Sequence, residues 1–437
     1  MHLFRLHLLI WLPVFLVLPG CRKNRLDRAS DIAVIDVISR LGKYEAIPVS
    51  RFVTELEYIP LETRNDCLIN TEHIIRIFAT STHIFIAGYN PTYCYVFDRA
   101  GRFVGKIGSI GQGPGEYTYL IGLSINEKNQ TLYLETTRTV LEYSWDGVFR
   151  KSITKPKNMS NNPIDAVSFV YDNLFIGHFI NHSGKEKYNF CLFDTTGRVV
   201  KSFDNHIILD RTRIRYTGGD AAMKPFRLSE NMYVKEIAND TLYCLNKKAE
   251  LVPQFVFNIG KYAVKKEKRG DMIDPKDFEL NGTIEIPHAT LPMVGIPNYI
   301  FFNINPFNIP DLYNSFPQGR SHSEIIMGNI HNFPDHRTPG IYDIARQQTQ
   351  LLDTDPVSHM CGLINDWDGG LSFWPRYYTS DNEFIDMWDS YDMKEILTEE
   401  YFAAHEIKNP QAHQKLRELL KNLRDDDNPV IVIARLK

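Results

Sequence analysis

The chain is short of paired cysteines, of excess charge of one sign and of long apolar runs, and each shortage removes a class of protein. Its 437 residues hold six cysteines, at positions 21, 67, 94, 191, 244 and 361. They are widely spaced and none forms a C-x-x-C pair, so neither a disulfide framework nor a zinc site is indicated. Cys94, Cys191 and Cys244 lie inside apolar runs and read as small buried hydrophobes. Lysine and arginine total 49 against 53 acidic residues, a net charge of −4. The densest basic stretch, Lys265 to Arg269, is broken by Glu267, so no nucleic-acid partner is expected. The clearest apolar run, Leu8 to Leu18, is far shorter than the roughly 20 residues of a membrane span. There is no G-x-S-x-G elbow and no H-E-x-x-H motif.

What that apolar run does resemble is the middle of an export signal. His2 and Arg5 precede it, and it ends on Leu18-Pro19-Gly20-Cys21. The small residue before the cysteine, with an aliphatic residue three before it, resembles a bacterial lipobox. The resemblance implies cleavage after residue 20 and lipidation of Cys21, so the membrane partner would be reached through lipid. Residues 21–51 are polar and poorly patterned and are expected to form a flexible tether, leaving 52–437 as the folded domain. Arg22, Lys23 and Asn24 offer no early acidic residue, and the expected location is the outer membrane, facing the periplasm. Hydrophobic content of 43% and aromatic content of 12% are those of a protein with a substantial core.

Internal repetition defines that core. Tyr93-Cys-Tyr-Val-Phe-Asp-Arg-Ala-Gly, Val140-Leu-Glu-Tyr-Ser-Trp-Asp-Gly, Asn189-Phe-Cys-Leu-Phe-Asp-Thr-Thr-Gly and Leu242-Tyr-Cys-Leu-Asn-Lys-Lys-Ala share a strand and a polar turn. Their turn markers, Gly101, Gly147, Gly197 and Ala249, are 46, 50 and 52 residues apart. That is the length of a four-stranded propeller blade. Two more strands precede each turn, such as Ile74–Phe78 and His83–Ala87 in the first unit. Lys261 to Pro297 breaks the rhythm with a charged, helix-like insert, after which strands are expected at Tyr299–Asn303, Glu324–Met327, Met360–Ile364 and Glu383–Trp388. Asn409-Pro410 reads as a helix start, with an apolar stripe through Leu416, Leu419, Leu420 and Leu423 before a final strand at Val430. The isolated strand Phe52–Pro60 is placed to cover the open edge of the last blade. The expected fold is all-β: a six-bladed propeller of four-stranded antiparallel blades, with a helical insert and a C-terminal helix before the closing strand.

Gly105-Lys-Ile-Gly-Ser-Ile-Gly-Gln-Gly-Pro-Gly-Glu-Tyr closely resembles the signature of the six-bladed β-propeller lipoproteins of Bacteroides and its relatives, which are NHL-like in shape. Ile59-Pro-Leu-Glu-Thr, Asp366-Trp-Asp-Gly-Gly, Trp374-Pro-Arg and Asp426-Asp-Asn-Pro-Val are also similar to that family. The resemblance implies fold and location, and carries no activity.

Three places could bear chemistry. The glycine-rich segment lacks the Lys-Ser/Thr ending of a phosphate loop, and no amphipathic helix follows; a linker between blades, with Tyr117 packed between them, explains it better. Asp366 and Asp368 have Asp-box spacing, in which a carboxylate accepts backbone N–H groups, and Arg376 follows closely. One arginine does not make the cluster that sialidase chemistry needs, and no calcium-loop glutamate follows. His322, His331 and His336 crowd one region, but their spacing fits no zinc motif. No metal and no cofactor are expected. The reading is therefore a noncatalytic ligand-binding or assembly component of the cell envelope, with a protein or glycan partner, working around the propeller's central opening. The alternative is an envelope lyase or hydrolase acting on glycan or peptide in that opening.

Overall fold

The computed structural model describes residues 32–437 except 180, 182–184, 207–224, 229–230, 236–238, 261–288, 297, 305–337 and 380–382. The described strands form six four-stranded antiparallel blades arranged as a propeller. In chain order the first blade is β4 (Ile74–Ala79), β5 (His83–Tyr89), β6 (Thr92–Asp98) and β7 (Phe103–Lys106). The second is β10 (Gly122–Asn126), β11 (Thr131–Glu135), β12 (Thr139–Ser144) and β13 (Phe149–Thr154). The third runs β14 (Asp165–Tyr171), β15 (Leu174–His178), β16 (Tyr188–Asp194) and β17 (Val199–Asp204). The fourth is β18 (Phe226–Leu228), β19 (Asn231–Lys235), β20 (Thr241–Leu245) and β21 (Leu251–Asn258). The fifth is β22 (Ala289–Ile296), β23 (Tyr299–Ile304), β24 (Thr338–Asp343) and β25 (Gln348–Leu352). The sixth joins both chain ends: β26 (Tyr377–Tyr378), β27 (Glu383–Trp388), β28 (Val430–Leu436) and, outermost, β3 (Val53–Pro60). The expected closing strand is therefore in place, with Val430 opposite Pro60 and Ala434 opposite Leu56.

Blades can stack this way because their central strands are apolar on both faces. Along β28, Val430, Val432 and Ala434 enter the core shared with blade 5, while Ile431 and Ile433 enter the core shared with blade 1. In β16, Phe190 and Leu192 face blade 4, and Cys191 and Phe193 face blade 2. The two-residue period of a strand thus feeds two cores at once. The buried hydrophobic residues accordingly divide into one packet per blade interface. The five described cysteines beyond residue 21 are buried and form no disulfide.

The repeated turns work by a common device. Asp98 Oδ1 accepts from the N–H groups of Ala100 and Arg102, both at 2.9 Å, and Asp194 and Asn246 do the same in their own turns. Gly101 (φ 79°) and Gly197 (φ 83°) take the left-handed conformation. A side chain at either would also strike the backbone oxygen ending the previous blade's outer strand, Pro60 or Thr154. Glycine there serves both the turn and the blade-to-blade contact.

Two expectations need correction. The tether does not extend to residue 51: β1 (Ala33–Asp36) adds in parallel to β21, and β2 (Tyr44–Glu45) adds in parallel to β25. Ile35 and Val37 are buried with blades 4 and 5, which a period-2 search misses in so short a strand. Met360–Ile364 is not a strand; Cys361 and Leu363 make only isolated bridges to Thr354 and Phe373, because two glycines and an Asp-rich turn follow. The glycine-rich linker is as expected. It pairs β8 (Ser109–Ile110) with β9 (Glu116–Tyr117), and buried Tyr117 donates to the Ile107 carbonyl at 2.8 Å. Three helices, α1 (Ser390–Ile396), α2 (Glu399–Ala404) and α3 (Pro410–Asn422), lie between β27 and β28. Asn409 caps α3 by accepting from Ala412 N–H at 3.0 Å, with Pro410 in the first turn. The insert expected at 261–297 and the strand at Glu324–Met327 fall mainly or wholly outside the described residues.

Candidate functional site

In every blade the first strand starts, and the second ends, on the same face of the ring. That face carries α1–α3, and the strand ends flanking 207–224, 261–288 and 305–337 also lie on it. Loops there are free to vary without disturbing the blades, so any ligand site is to be sought there first.

The suspected residues do not converge. Asp366 Oδ1 accepts from Ser50 N–H at 3.0 Å, and Oδ2 accepts from Ser50 Oγ and Lys408 Nζ, both at 2.6 Å. Burial pushes the Asp366 carboxyl up, but the hydrogen bonds from Lys408 and Ser50 and the Lys408 charge outweigh it and hold the group below the usual carboxylate range. It ties the blade 5–6 connection to the N-terminal segment instead of closing its own turn. Asn365 closes that turn, accepting from the N–H groups of Trp367 and Asp368. Asp368 Oδ1 accepts from Tyr58 Oη and Gly370 N–H, both at 3.0 Å. Its Oδ2 is buried without a partner, and burial pushes this carboxyl up. Asp366 is thus held by residues just before β3 and α3, and Asp368 by Tyr58 on β3 and, through its carbonyl, by His413 on α3. Arg376, at the start of the inner strand β26, is committed to Asp386, with Nε 2.8 Å from Oδ1; its guanidinium also lies 5.4 Å from the Trp388 ring. His322, His331, His336 and Cys21 lie outside the described residues.

A pair that resembles catalytic machinery proves to be a strut. His405 Nε2 lies 2.6 Å from Asp355 Oδ2, and its Nδ1 lies 2.7 Å from the Tyr401 carbonyl. Both ring nitrogens thus face acceptors and none is left to serve as a base. The ring stacks on Tyr401 at 4.0 Å beneath α2.

Above blades 6, 1 and 2, a different group gathers that motif searching passes over. His73 meets Tyr89 edge-on at 4.7 Å, and Tyr89 approaches Tyr119 at 6.0 Å, with Tyr119 42% exposed. Beside them Asp389 Oδ2 accepts from Thr71 Oγ1 at 2.9 Å. Burial pushes Asp389 up despite Thr71 and Arg376, and burial with the Asp389 charge pushes Asp392 up as well. Thr71, His73 and Tyr119 lie within three residues before a first strand, Tyr89 ends a second strand, Asp389 follows one, and Asp392 lies in the first turn of α1. The blade period alone could have found them. Among the described residues no three metal-ligating side chains meet, and no helix is long and apolar enough to cross a membrane.

The family model described as "Domain of unknown function (DUF4934)" matches residues 32–435. Among solved structures, a Bacteroides fragilis protein inferred to be exported is similar at a TM-score of 0.60 and 16% identity, over 93% of this chain and 100% of that one. A DUF4221-family protein from Bacteroides vulgatus gives 0.49 and 9%, over 88% and 97%. Virginiamycin B lyase from Staphylococcus aureus gives 0.37 and 7%, over 70% and 76%. The first likeness is one of fold; the other two are too distant in shape to bear on anything further. Comparison with curated proteins gives no match.

Proposed function

We propose, from the premise that this chain belongs to the DUF4934 family of unknown function, that it is an exported, lipid-anchored binding or assembly component of the cell envelope. Its binding surface would be the aromatic and polar patch of His73, Tyr89, Tyr119, Thr71 and Asp389. The signal-like residues 1–20 before Cys21 support the location, as does the likeness to a Bacteroides fragilis protein inferred to be exported. Outer-membrane attachment facing the periplasm follows the same reasoning, with an envelope glycan or protein as partner.

One observation carries the noncatalytic reading. Among the described residues, Asp366, Arg376 and the Asp355–His405 pair, the charged groups most like catalytic machinery, are each held in structural hydrogen bonds or ion pairs. The patch offers instead aromatic rings running out to the exposed Tyr119, beside carboxyls that burial pushes up, a surface suited to a polyhydroxylated or peptide ligand. A lyase or hydrolase reading has one point in its favour, the adjacent carboxyls Asp389 and Asp392. Both are raised, however, whereas acid–base catalysis by a carboxyl pair separates the two values.

The test uses the full chain with envelope glycan and peptide fractions. Retention of one fraction, recovered unchanged and weakened by Tyr119→Ala at an unaltered melting temperature, is the expected result. Turnover that Asp389→Asn or Asp392→Asn abolishes would replace this reading with the enzymatic one.

A further inference from the structure

Arg76 lies on β4, the inner strand of blade 1, at an irregularity in its pairing with β5 between Ile74 and Arg76. Its Nε is shut off from solvent and has no hydrogen-bond partner. The guanidinium sits 5.2 Å from the Phe78 ring, and no carboxylate among the described residues reaches it. Buried cations are normally paired, because moving one out of water without a counter-charge is costly. Other cations of the ring have polar partners. Arg376 has Asp386, Lys155 has Glu135 at 2.8 Å, Arg99 has Glu383 at 3.1 Å, and Arg227 donates to the carbonyls of Phe169 and Val170. Arg76 has only a ring face.

Across the blade boundary stands Tyr377 on β26, the inner strand of blade 6, which packs beside β4. Its hydroxyl makes no hydrogen bond among the described residues, and its phenol is close enough to act electrostatically on Arg76. Burial pushes the Arg76 guanidinium down and the Tyr377 phenol up; both residues are half-buried, and both retain unused donors. The two first strands flank the central opening, where their outer edges have no further strand to pair with.

We propose that Arg76 and Tyr377 form an oxyanion-recognition point in the wall of the central opening, taking the carboxylate or phosphate group of a ligand. The planar guanidinium supplies a fork of N–H donors suited to such a group, and the Tyr377 hydroxyl supplies another. This deepens the binding reading and rests on it: the aromatic patch on the face above would hold the body of the ligand, and Arg76 its anionic group.

Inorganic phosphate and acetate are the probes, each titrated into the full chain against chloride at constant ionic strength, with binding read by calorimetry and by melting temperature. Wild type is expected to bind one of them and to melt higher in its presence; which one responds tells a phosphate source from a carboxylate source. Arg76→Met should abolish the response, while melting at least as high as wild type without anion, because the unpaired buried charge is gone. Tyr377→Phe should weaken binding about tenfold and keeps the test open if Arg76→Met does not fold. No response to either anion in wild type, or an undiminished response in both variants, would overturn the proposal. An envelope ligand still retained under those circumstances would leave the patch above intact and discard only this point.

Discussion

At Glu135 and Lys155 the molecule buries a full ion pair, and its logic sets the cost of single changes. Lys155 Nζ donates to Glu135 Oε1 at 2.8 Å and to the Thr136 carbonyl at 3.0 Å. Glu135 Oε2 in turn accepts from Val167 N–H on the next blade's inner strand. Lys155→Met leaves a carboxylate buried and unpaired, and should cost about 3–5 kcal/mol in denaturant unfolding. The double change with Glu135→Gln should recover part of that, since it removes the stranded charge and keeps an acceptor for Val167. Equal stability for the single variant and wild type would deny the pair any role between blades. His178 gives a pH signature. Burial pushes its imidazole from 6.5 down to about 4, so the folded ring stays neutral while the unfolded chain takes up a proton below 6.5. Its contribution is therefore complete above pH 6.5 and is lost as pH falls toward 4, on the order of 3 kcal/mol in all. His178→Leu should flatten the fall in stability between those pH values, measured by urea unfolding at several pH values; an unchanged slope would assign the fall to other groups.

Elements that repeat were legible, and elements that do not repeat were not. The turn markers at Gly101, Gly147, Gly197 and Ala249 all have positive φ, because Asp, Asn and Gly write tight reversals directly into local sequence. A fifth, Gln347, shares the conformation; it escaped notice because it stands 98 residues from Ala249 and lacks glycine. The helix at Asn409-Pro410 was legible for the same local reason. β1 and β2 were not, since their partners lie more than two hundred residues away and the short strands carry no period of their own. Likewise the Asp366 and Asp368 motif announced a turn, yet Asp366's partners, Ser50 and Lys408, are fixed only by the tertiary fold. The patch of His73, Tyr89, Tyr119 and Asp389 follows from position in the blade rather than from any motif. The edge strands invite a direct test. A chain beginning at Ile47 loses Ile35 and Val37, 0% and 1% exposed, each worth about 1.5–3 kcal/mol when buried. It should melt well below a chain beginning at Ile32, while keeping the far-ultraviolet signal of the remaining blades. Identical melting curves would mean that residues 32–46 decorate the propeller without supporting it.

A propeller is stable only as a closed ring, and here closure depends on a strand drawn from the other end of the sequence. β3 fills both flanking packets: Val53 and Leu56 enter the core shared with blade 5, and Ile59 enters the core shared with blade 1. It also brings Glu57 to Arg99, 3.4 Å apart, while Arg99 holds Glu383 of the same blade at 3.1 Å and the Thr80 carbonyl at 3.1 Å. The turn of blade 1 is thus bolted to blade 6 by charge at its surface and by apolar side chains beneath. Omitting the strand exposes the backbone edge of β28, one of the most apolar strands in the chain, and such an edge recruits other chains. A chain beginning at Arg64 should consequently aggregate, or lose cooperative unfolding, at temperatures where the chain from Ile47 still melts as a unit. The Glu57–Arg99 contact accounts for little of this, because Glu57 is 35% exposed and surface pairs contribute about 0–1 kcal/mol. Glu57→Gln in the full chain should therefore lower stability only modestly, which separates the Glu57–Arg99 part of closure from the strand itself. A peptide spanning residues 50–63, added to the chain from Arg64 during refolding, should restore solubility if β28 accepts it in the register Val430 to Pro60. If the chain from Arg64 melted like the chain from Ile47 without any peptide, the ring would be closed by contacts other than β3.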